Sequence, residues 1–272
     1  MPELPEVETA RRGIEPFLVG HEIAQLTVRD RRLRWPVPAG LEQQIAGQTI
    51  SAVKRRAKYI LIDLDVGTLL LHLGMSGSVR IVKPDQQELK KHDHFDLILD
   101  SGYCLRYNDP RRFGSFLWSE NAATHKLLAS LGQEPLSAEF TGAYLHTAAK
   151  GRNTAIKQFI MSQQVVVGVG NIYASEALHI AGISPLRSAD KISLKRMVLF
   201  VDVIQQVLKQ AIEAGGTTLK DFTNSDGKPG YFKQALAVYD RANQPCLNCK
   251  TGQVTKIIQG QRATYYCSSC QK

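Results

Sequence analysis

The C-terminal end of the chain carries two closely spaced cysteine pairs. Cys246 and Cys249 form one Cys-x-x-Cys pair, Cys267 and Cys270 form the second, and 17 residues separate the two pairs. This spacing is typical of two hairpins that present four thiolates to one tetrahedral zinc ion. A redox-active pair is the competing interpretation, but two pairs favour zinc. All four positions are cysteine, so the predicted ion is structural and leaves no open coordination position for catalysis.

The segment around these cysteines could hardly fold without a metal, because it has about 30 residues and few apolar ones for a core. From Arg241 to Lys272 it contains five Lys or Arg residues and no Asp or Glu. Such a segment can lie along phosphates, and Arg262 is a candidate for that contact. A merely solvated arginine is the alternative. The fifth cysteine, Cys104, lies in a strand-like run and is predicted to be a buried thiol.

The charge of the chain narrows the class of partner. Its 272 residues carry a formal net charge of +9, from 34 Lys and Arg against 25 Asp and Glu. This excess favours a polyanionic partner such as nucleic acid; a generally basic protein is the alternative.

The N-terminus is acidic and no apolar signal-peptide core follows it. The most apolar stretches contain acidic residues and are too short to span a bilayer. We therefore expect a cytoplasmic protein without membrane contact.

The apolar pattern divides the chain into three predicted regions, 1–131, 132–241 and 242–272. The first opens with a helix that turns Arg11 and Arg12 away from its apolar face. Strand-like runs rich in Val, Ile, Leu and Tyr follow, and turn residues separate them. This pattern predicts an α+β fold in which the N-terminal part is a β-sandwich flanked by helices. The apolar face of the first helix consists of Val7, Ala10, Ile14, Phe17 and Leu18.

The second region is predicted to be mainly helical. The last predicted helix is long and ends at Gly215 and Gly216, which is a good stop signal. The stretch that follows, 217–232, is polar and contains glycine, so it is predicted to be a flexible loop. The predicted helices cover 138–149, 155–163, 171–181 and 192–214.

Several motifs in a fixed order resemble one enzyme family. The chain has PELPEVET directly after Met1, VGVGNIYASEAL at 167–178, and the cysteine tail that ends in CQK. Further matching stretches are RRAKYILIDL, HLGMSGSVRI, KHDHFDL, YNDPRRFG, GGTTLKDF, SDGKPGYF and QRATYYC. Together they resemble bacterial formamidopyrimidine-DNA glycosylases, base-excision enzymes for oxidised purines, over the whole chain. The related endonuclease VIII group, which prefers oxidised pyrimidines, usually begins PEGPE, so Leu4 places the chain on the purine side.

The resemblance implies a covalent mechanism at the N-terminus. Once Met1 is removed, the ring nitrogen of Pro2 is the implied nucleophile, and an α-amine titrates near pH 8, so much of it is a free base at neutral pH. Glu3 is the implied general acid and base. Glu6 positions the amine or hydrogen-bonds the start of the helix, and Lys58 contacts a phosphate beside the lesion. Without the resemblance, both glutamates read as helix caps and Lys58 as an exposed strand lysine.

The resemblance also implies how DNA is held. Extruding a base leaves a hole in the stack, and Met75 with Phe113 are the implied apolar fillers, whereas Arg111 pairs with the orphaned cytosine. A core methionine and a turn-anchoring phenylalanine are the alternatives. The loop residues 219–225 are candidates for contact with the flipped base. The implied DNA-binding residues are Met75, His92, Arg111, Phe113, Lys157, Asn171 and Arg262. The second region is expected to form a helix–two-turn–helix unit, and the tail a zinc-finger hairpin.

The sequence therefore predicts a monomeric DNA glycosylase and abasic-site lyase with one structural Zn²⁺. Its expected substrate is double-stranded DNA that contains 8-oxoguanine or formamidopyrimidines, and its expected location is the nucleoid of the cytoplasm. An endonuclease VIII-like enzyme is one alternative, and a non-catalytic zinc protein that binds damaged DNA is another. Asp240 and Asn243 stand where glycines are common in the family, which leaves the local packing there open.

Overall fold

The structure is a computed structural model that describes residues 2–215 and 236–272. Two compact units divide these residues: the first contains 2–129 and 214–215, and the second contains 130–213 and 236–272. The predicted three-part division stays a prediction. Met1 and the whole of the predicted loop 217–232, including 219–225, lie outside the described residues. In the described part of the chain, none of the helices combines the length and the apolar character that crossing a membrane requires.

The first unit contains two four-stranded antiparallel sheets, with strand orders β1-β6-β7-β5 and β2-β3-β4-β8. Buried apolar side chains from both sheets form one core, in which the rings of Phe95 and Phe116 stack 4.2 Å apart. The predicted sandwich with flanking helices is thus confirmed. Its elements are α1 (Leu4–Leu18), β1 (Ile23–Val28), α2 (Leu41–Ile45), β2 (Ile50–Arg56), β3 (Tyr59–Leu64), β4 (Thr68–His72), β5 (Ser78–Val82), β6 (Asp93–Leu99), β7 (Cys104–Asn108) and β8 (Ser115–Ser119).

Helix α1 buries most of the face that its sequence pattern predicts. Val7, Ala10, Ile14 and Leu18 are buried in the core. Phe17 was expected there but is exposed, and its ring meets the edge of Tyr103 at 5.4 Å. Arg11 does not turn away into solvent, because its Nη1 donates to the backbone oxygen of Val53 at 3.0 Å. The helix is therefore tied to β2 by a polar contact as well as by its apolar face.

A buried charge cluster crosses the first sheet. Asp96 accepts two hydrogen bonds from Arg29, at 2.7 and 3.1 Å, and two from Arg106, both at 2.9 Å. Burial alone would raise the pKa of Asp96, but the bonds from the two guanidinium groups outweigh it and lower that pKa. The cluster connects β1, β6 and β7. Beside it, the Cys104 thiol is buried, as predicted, and burial raises its pKa to about 11.

The second unit is mainly helical and ends in a two-stranded hairpin. The predicted helix over 138–149 begins later, because Thr141 Oγ1 accepts the Tyr144 N–H at 3.1 Å and caps the helix there. The long helix ends at Glu213, and Gly215 takes a left-handed conformation (φ 78°) after it. The elements are α3 (Gly142–Ala149), α4 (Ile156–Ile160), α5 (Asn171–Ile180), α6 (Leu194–Glu213), β9 (Val254–Gln259) and β10 (Arg262–Cys267).

Asp240 and Asn243 take a backbone conformation that glycine adopts most readily. Both residues have a positive φ, 59° for Asp240 and 64° for Asn243. Asp and Asn tolerate the left-handed region better than other non-glycine residues. Both positions can therefore form a turn without glycine.

Replacing Asp96 by alanine tests the charge cluster of the first sheet. The change leaves the Arg106 guanidinium buried without its carboxylate, so we expect a loss of about 3–5 kcal/mol in the free energy of unfolding. Urea denaturation of the purified variant measures this. Lys54→Met is the matched control, since Lys54 pairs with Asp63 at the surface, and such pairs add little. Equal stability of Asp96→Ala and Lys54→Met would contradict the assignment.

Candidate functional site

The start of α1 places two buried glutamates next to Pro2. Glu3 is the N-cap residue, and its backbone N–H donates to Glu6 Oε2 at 2.8 Å. Glu6 is completely buried and Glu3 almost so. Pro5 lies in the first turn, where its restricted φ suits a helix start. Glu6 thus makes one of its two predicted contacts, the one with the helix start, and fixes the backbone that carries Pro2 and Glu3.

Lys58 lies in the two-residue turn between β2 and β3. Ala57, the other turn residue, has a φ of 55° and is fully buried. The Lys58 side chain is also buried, with 6% of its surface exposed. The alternative interpretation, an exposed strand lysine, is therefore wrong in both position and burial. Lysine is rarely buried in folded proteins, because its charged ammonium group is costly to remove from water. The burial of Lys58 therefore marks it as a candidate functional residue.

Arg55 links the Lys58 turn to the helix that begins at the predicted active site. Its Nε donates to Glu8 Oε2 at 3.1 Å, and its Nη1 donates to the backbone oxygen of Ala57 at 3.0 Å. Glu8 also accepts from Arg11 at 3.1 Å. Burial acts to raise the pKa of Glu8, but the hydrogen bonds from the neighbouring arginines lower it overall. The ion cluster holds the turn at a defined place against α1.

His72 is a site residue that sequence reasoning missed. It is the last residue of β4, and its Nδ1 accepts the Gly74 N–H at 3.0 Å. Burial, together with the positive charges of Lys58 and Arg34, lowers the pKa of His72 to about 4. The ring is therefore neutral at pH 7 and carries its proton on Nε2. The one signal in the sequence is its place in HLGMSG, two residues before a glycine.

Two adjacent segments present the predicted void-filling residues. Met75 is partly buried, whereas Arg111 and Phe113 are exposed, with the Arg111 guanidinium 4.8 Å from the centre of the Phe113 ring. The segments touch, because a Cβ on Gly74 would lie 2.4 Å from the backbone carbon of Phe113. Neither alternative interpretation describes these positions well: Met75 is not fully buried, and the Phe113 ring is open to solvent.

His92 precedes β6 in a turn with a φ of 76°. The adjacent Asp93 carboxylate closes this turn by accepting the Lys90 N–H at 2.8 Å, and it also accepts from Asn108 at 2.8 Å. The His92 oxygen accepts the Asp109 N–H at 3.1 Å. The turn that carries His92 is therefore hydrogen-bonded to the segment that leads to Arg111.

In the second unit, Lys157 and Asn171 meet the hairpin of β9 and β10. Lys157 Nζ donates to Asn171 Oδ1 at 2.6 Å and to Thr264 Oγ1 at 2.7 Å. Asn171 Nδ2 donates to the Ala263 oxygen at 2.9 Å, which uses one of its two hydrogens. Lys157 is almost completely buried. The structure brings both predicted residues together at the start of α5, and their contact with DNA stays a prediction.

Arg262 is exposed at the tip of this hairpin. Gly260 and Gln261 form its two-residue turn with φ values of 55° and 60°, the conformation that matches the twist of the strands. Arg262 and Lys157 line the same open pocket, whose volume is about 210 Å³. The pocket gathers positive charge beside the first turn of α5, where backbone N–H groups favour anions.

Helix α5 also holds the chain on both sides of the cysteine tail. The buried Glu176 carboxylate accepts the N–H groups of Ala237, Val238 and Tyr239 at 2.7–3.0 Å. At the other end, Gln271 Oε1 lies 3.3 Å from Nδ1 of His179 in α5, and Gln271 Nε2 donates to the oxygen of Ile183, just after the helix, at 2.8 Å. The tail is therefore fixed to α5 through contacts that sequence reasoning did not find, because a helical Glu in NIYASEAL reads as an ordinary solvated residue.

The four predicted cysteines form one cluster. Their Sγ atoms all lie within 4.8 Å of one another, with 3.7 Å between Cys246 and Cys270 and 3.9 Å between Cys249 and Cys267. Zinc–sulfur bonds of about 2.3 Å at tetrahedral angles separate the sulfurs by about 3.8 Å. The Gly252 N–H donates to Cys249 Sγ at 3.3 Å and lowers the pKa of that thiol to about 6. The residues fit a structural zinc ion.

Chelation tests this cysteine cluster. The apolar core beside it is small, with Val238, Val254 and Tyr265 buried, so removal of the metal is expected to unfold the hairpin. We expect about one zinc per chain before chelation, and loss of amide-exchange protection in 246–272 together with DNA binding afterwards. Cys104→Ala is the control and should keep both. Full protection in metal-free protein would contradict a structural zinc.

The neutral His72 predicts a specific loss of stability in acid. Its folded pKa is about 4 and its unfolded pKa about 6.5, so only the unfolded chain takes up a proton between these values. Stability is therefore complete above about pH 6.5 and falls by about 3 kcal/mol as the pH drops to about 4. In His72→Asn, the amide oxygen keeps the Gly74 contact and removes the titration. Urea unfolding from pH 7 to 4 should give a flatter curve for this variant; parallel curves would exclude His72 as the cause.

Comparison with known proteins identifies the family. The model of the formamidopyrimidine-DNA glycosylase N-terminal domain matches residues 1–116, and that of the formamidopyrimidine-DNA glycosylase H2TH domain matches residues 131–223. The formamidopyrimidine-DNA glycosylases of Methylococcus capsulatus and Photobacterium profundum are each 57% identical to this chain, and 100% of both chains is covered in each case.

Solved structures agree with these matches. The MutM (FPG) protein from Thermus thermophilus is 35% identical, with a TM-score of 0.88 over 99% of this chain and 98% of that one. A Lactococcus lactis FPG mutant in complex with a Fapy-dG containing DNA is 29% identical, with a TM-score of 0.91 over 100% of both chains. The matches extend from the N-terminal helix to the cysteine tail, and the chain belongs to the formamidopyrimidine-DNA glycosylase family.

Proposed function

We propose that this chain, a DNA glycosylase of base excision repair by its family, removes oxidised purines from double-stranded DNA and then cleaves the strand. The proposed lesions are 8-oxoguanine opposite cytosine and the formamidopyrimidines. The observation that carries the proposal is the start of α1, where Pro2 is followed by the buried Glu3 and Glu6 and the Glu3 N–H is bonded to the Glu6 carboxylate. The DNA complexes of its structural relatives support it.

The proposed chemistry starts at Pro2 after Met1 has been removed. The lone pair of the ring nitrogen attacks the anomeric carbon of the damaged nucleotide, a carbon–nitrogen bond forms, and the glycosidic bond breaks. Glu3 gives a proton to the ring oxygen of the sugar, which opens. The ring nitrogen loses its proton, which passes to the released base, and the product is a cationic imine between Pro2 and the opened sugar.

The same imine allows strand cleavage without a redox reagent. Its positive charge acidifies the adjacent sugar proton, which a base such as Glu3 removes. The electron pair then expels the 3′ phosphate, and a second elimination expels the 5′ phosphate. Water finally hydrolyses the imine and frees Pro2. Glu6 keeps the backbone of this segment in place through its bond to the Glu3 N–H.

The proposed DNA contacts divide into phosphate binding and base replacement. Lys58, Asn171 and Arg262 bind phosphates, with Lys157 held against Asn171. Met75 and Phe113 fill the hole that the extruded base leaves, as apolar wedges do in kinked duplexes, and Arg111 donates to the orphaned cytosine. His92 adds a contact from its turn. Binding is expected to weaken steeply with salt, since phosphate contacts release counterions.

The proposal also covers the metal ion, the oligomeric state and the cellular location. One Zn²⁺ held by the four cysteines stabilises the hairpin that carries Arg262 and takes no part in the reaction. The enzyme acts as a monomer at the nucleoid of the cytoplasm. The cysteine cluster supports the zinc ion, and the net charge of +9 supports a location close to DNA.

Borohydride trapping tests the chemistry and the substrate class together. The duplex carries one 8-oxoguanine opposite cytosine, and mass spectrometry first verifies that Met1 is absent. We expect a covalent protein–DNA adduct that is lost in Pro2→Gly and in a variant with a permanent extra residue before Pro2, because an amide nitrogen is not nucleophilic. Pro5→Ala changes another proline of the same segment and should still be trapped.

Other results would favour the alternatives. Trapping only on an oxidised pyrimidine would identify an endonuclease VIII-like enzyme. Salt-sensitive binding of damaged duplex without any adduct, from protein with a free Pro2, would identify a non-catalytic zinc protein. Either result would overturn the proposed function.

A further inference from the structure

One buried carboxylate collects four hydrogen bonds beside the predicted void-filling residues. Asp109 Oδ1 accepts from Ser76 Oγ at 2.7 Å and from the Arg111 N–H at 3.2 Å. Asp109 Oδ2 accepts from the Gly114 N–H at 2.9 Å and from the Tyr107 hydroxyl at 3.1 Å. Asp109 has no exposed surface. All four donors therefore serve one charge inside the protein, as a buried carboxylate requires.

Three of these donors come from two separate loop segments, and the fourth, Tyr107, lies in β7. Ser76 directly follows Met75, and it lies 33 positions before Asp109 in the chain. The other two loop donors, the N–H groups of Arg111 and Gly114, enclose the segment that carries Phe113. One carboxylate thus ties the turn of Met75 to the loop of Arg111 and Phe113.

Close backbone packing leaves the two segments no room to move separately. A Cβ on Gly74 would lie 2.4 Å from the backbone carbon of Phe113, and one on Gly114 would lie 2.5 Å from the backbone oxygen of His72. Both distances are far below van der Waals contact. Glycine at these two positions therefore allows the backbones of the two segments to pack directly against each other.

The backbone of Asp109 is itself held from the strand side. Its N–H donates to the His92 oxygen at 3.1 Å, and its carbonyl oxygen lies 2.7 Å from His94 Nε2. A carbonyl only accepts, so this nitrogen of His94 carries the proton. These two bonds fix the backbone of Asp109, so that its carboxylate can position the two loops.

We propose that Asp109 is a positioning residue that makes Met75 and the Arg111–Phe113 pair enter the duplex as one unit. The inference rests on the proposed function, in which these three residues replace the extruded base. Asp109 touches neither the sugar nor the lesion, so its effect falls on base extrusion and not on the imine chemistry at Pro2.

Asp109→Asn removes one acceptor with little change in shape. Whichever way the amide lies, its NH₂ group faces one of the two backbone N–H donors, Arg111 or Gly114. The hydroxyls of Ser76 and Tyr107 can turn and accept, but a backbone N–H cannot. In one orientation the buried Gly114 N–H loses its acceptor. In the other, the Arg111 N–H keeps only its bond to Ser76 Oγ at 3.3 Å. In both cases the loop loses part of what fixes its position.

Two substrates separate extrusion from chemistry. The first duplex carries 8-oxoguanine opposite cytosine, and the second carries a preformed abasic site, where no base remains to be extruded. Single-turnover cleavage rates are measured for both and normalised to the fraction of enzyme that borohydride can trap on the abasic duplex. For Asp109→Asn, we expect the rate on 8-oxoguanine to fall about tenfold and the abasic rate to remain unchanged. The preference for cytosine over adenine opposite the lesion should also fall, because Arg111 is less well positioned.

Two further variants keep the test decisive. Ser76→Ala removes the bond from the Met75 turn to Asp109 and the 3.3 Å bond that Ser76 Oγ accepts from the Arg111 N–H. It keeps the carboxylate and its other donors, so it should give a smaller loss on 8-oxoguanine in the same direction. If Asp109→Asn does not fold, Ser76→Ala tests the inference in its place. Tyr107→Phe removes a donor to the same carboxylate that belongs to neither segment, so its ratio of the two rates should equal that of the unmodified protein.

The outcomes distinguish this inference from the proposed function. An equal loss on both substrates, or no loss on either, would overturn the positioning role of Asp109. Failure of the unmodified protein on both duplexes would overturn the proposed function itself. A selective loss on 8-oxoguanine in Asp109→Asn and Ser76→Ala, but not in Tyr107→Phe, supports the inference.

Discussion

Buried carboxylates that accept backbone N–H groups hold the functional segments of this protein. Glu6 accepts from Glu3 at the start of α1, Asp109 from Arg111 and Gly114, and Glu176 from three successive residues, 237–239. A carboxylate removed from water is costly unless hydrogen bonds replace its solvation. The surrounding backbone must therefore adopt the one arrangement that provides these donors. Each of these N–H groups lies outside the regular helices and strands, yet the carboxylate fixes its position.

This constraint suits the proposed function, in which side chains of the protein replace the extruded base. The groups that meet the duplex have to be rigid before it arrives, since ordering them on binding would cost conformational entropy. Arg55 serves the same end, because it links Glu8 of α1 to the Ala57–Lys58 turn. In the second unit, α5 has this role for the cysteine hairpin, through Asn171 at its first turn and Glu176 at its middle.

Local patterns in the sequence predicted much of the architecture. The alternating strands, the long helix that ends before Gly215 and the four clustered cysteines are all observed, because each depends on residues close together in the chain. Contacts between distant residues decided what these local patterns do not show. Arg11 bonds to Val53 O, 42 positions away. Lys157 reaches Thr264, 107 positions away, and is buried.

The sequence by itself determined which four cysteines cluster, the order of the elements and the family, because spacing and motif order are properties of the chain alone. Only the tertiary structure decided which polar groups lose their water. Lys58 becomes buried and His72 partly buried, and the positive charge of Lys58 adds to the effect of burial in lowering the pKa of His72. Asp109 meets Ser76 across 33 positions. Burial and charge proximity arise when separate strands pack, and no local pattern encodes them.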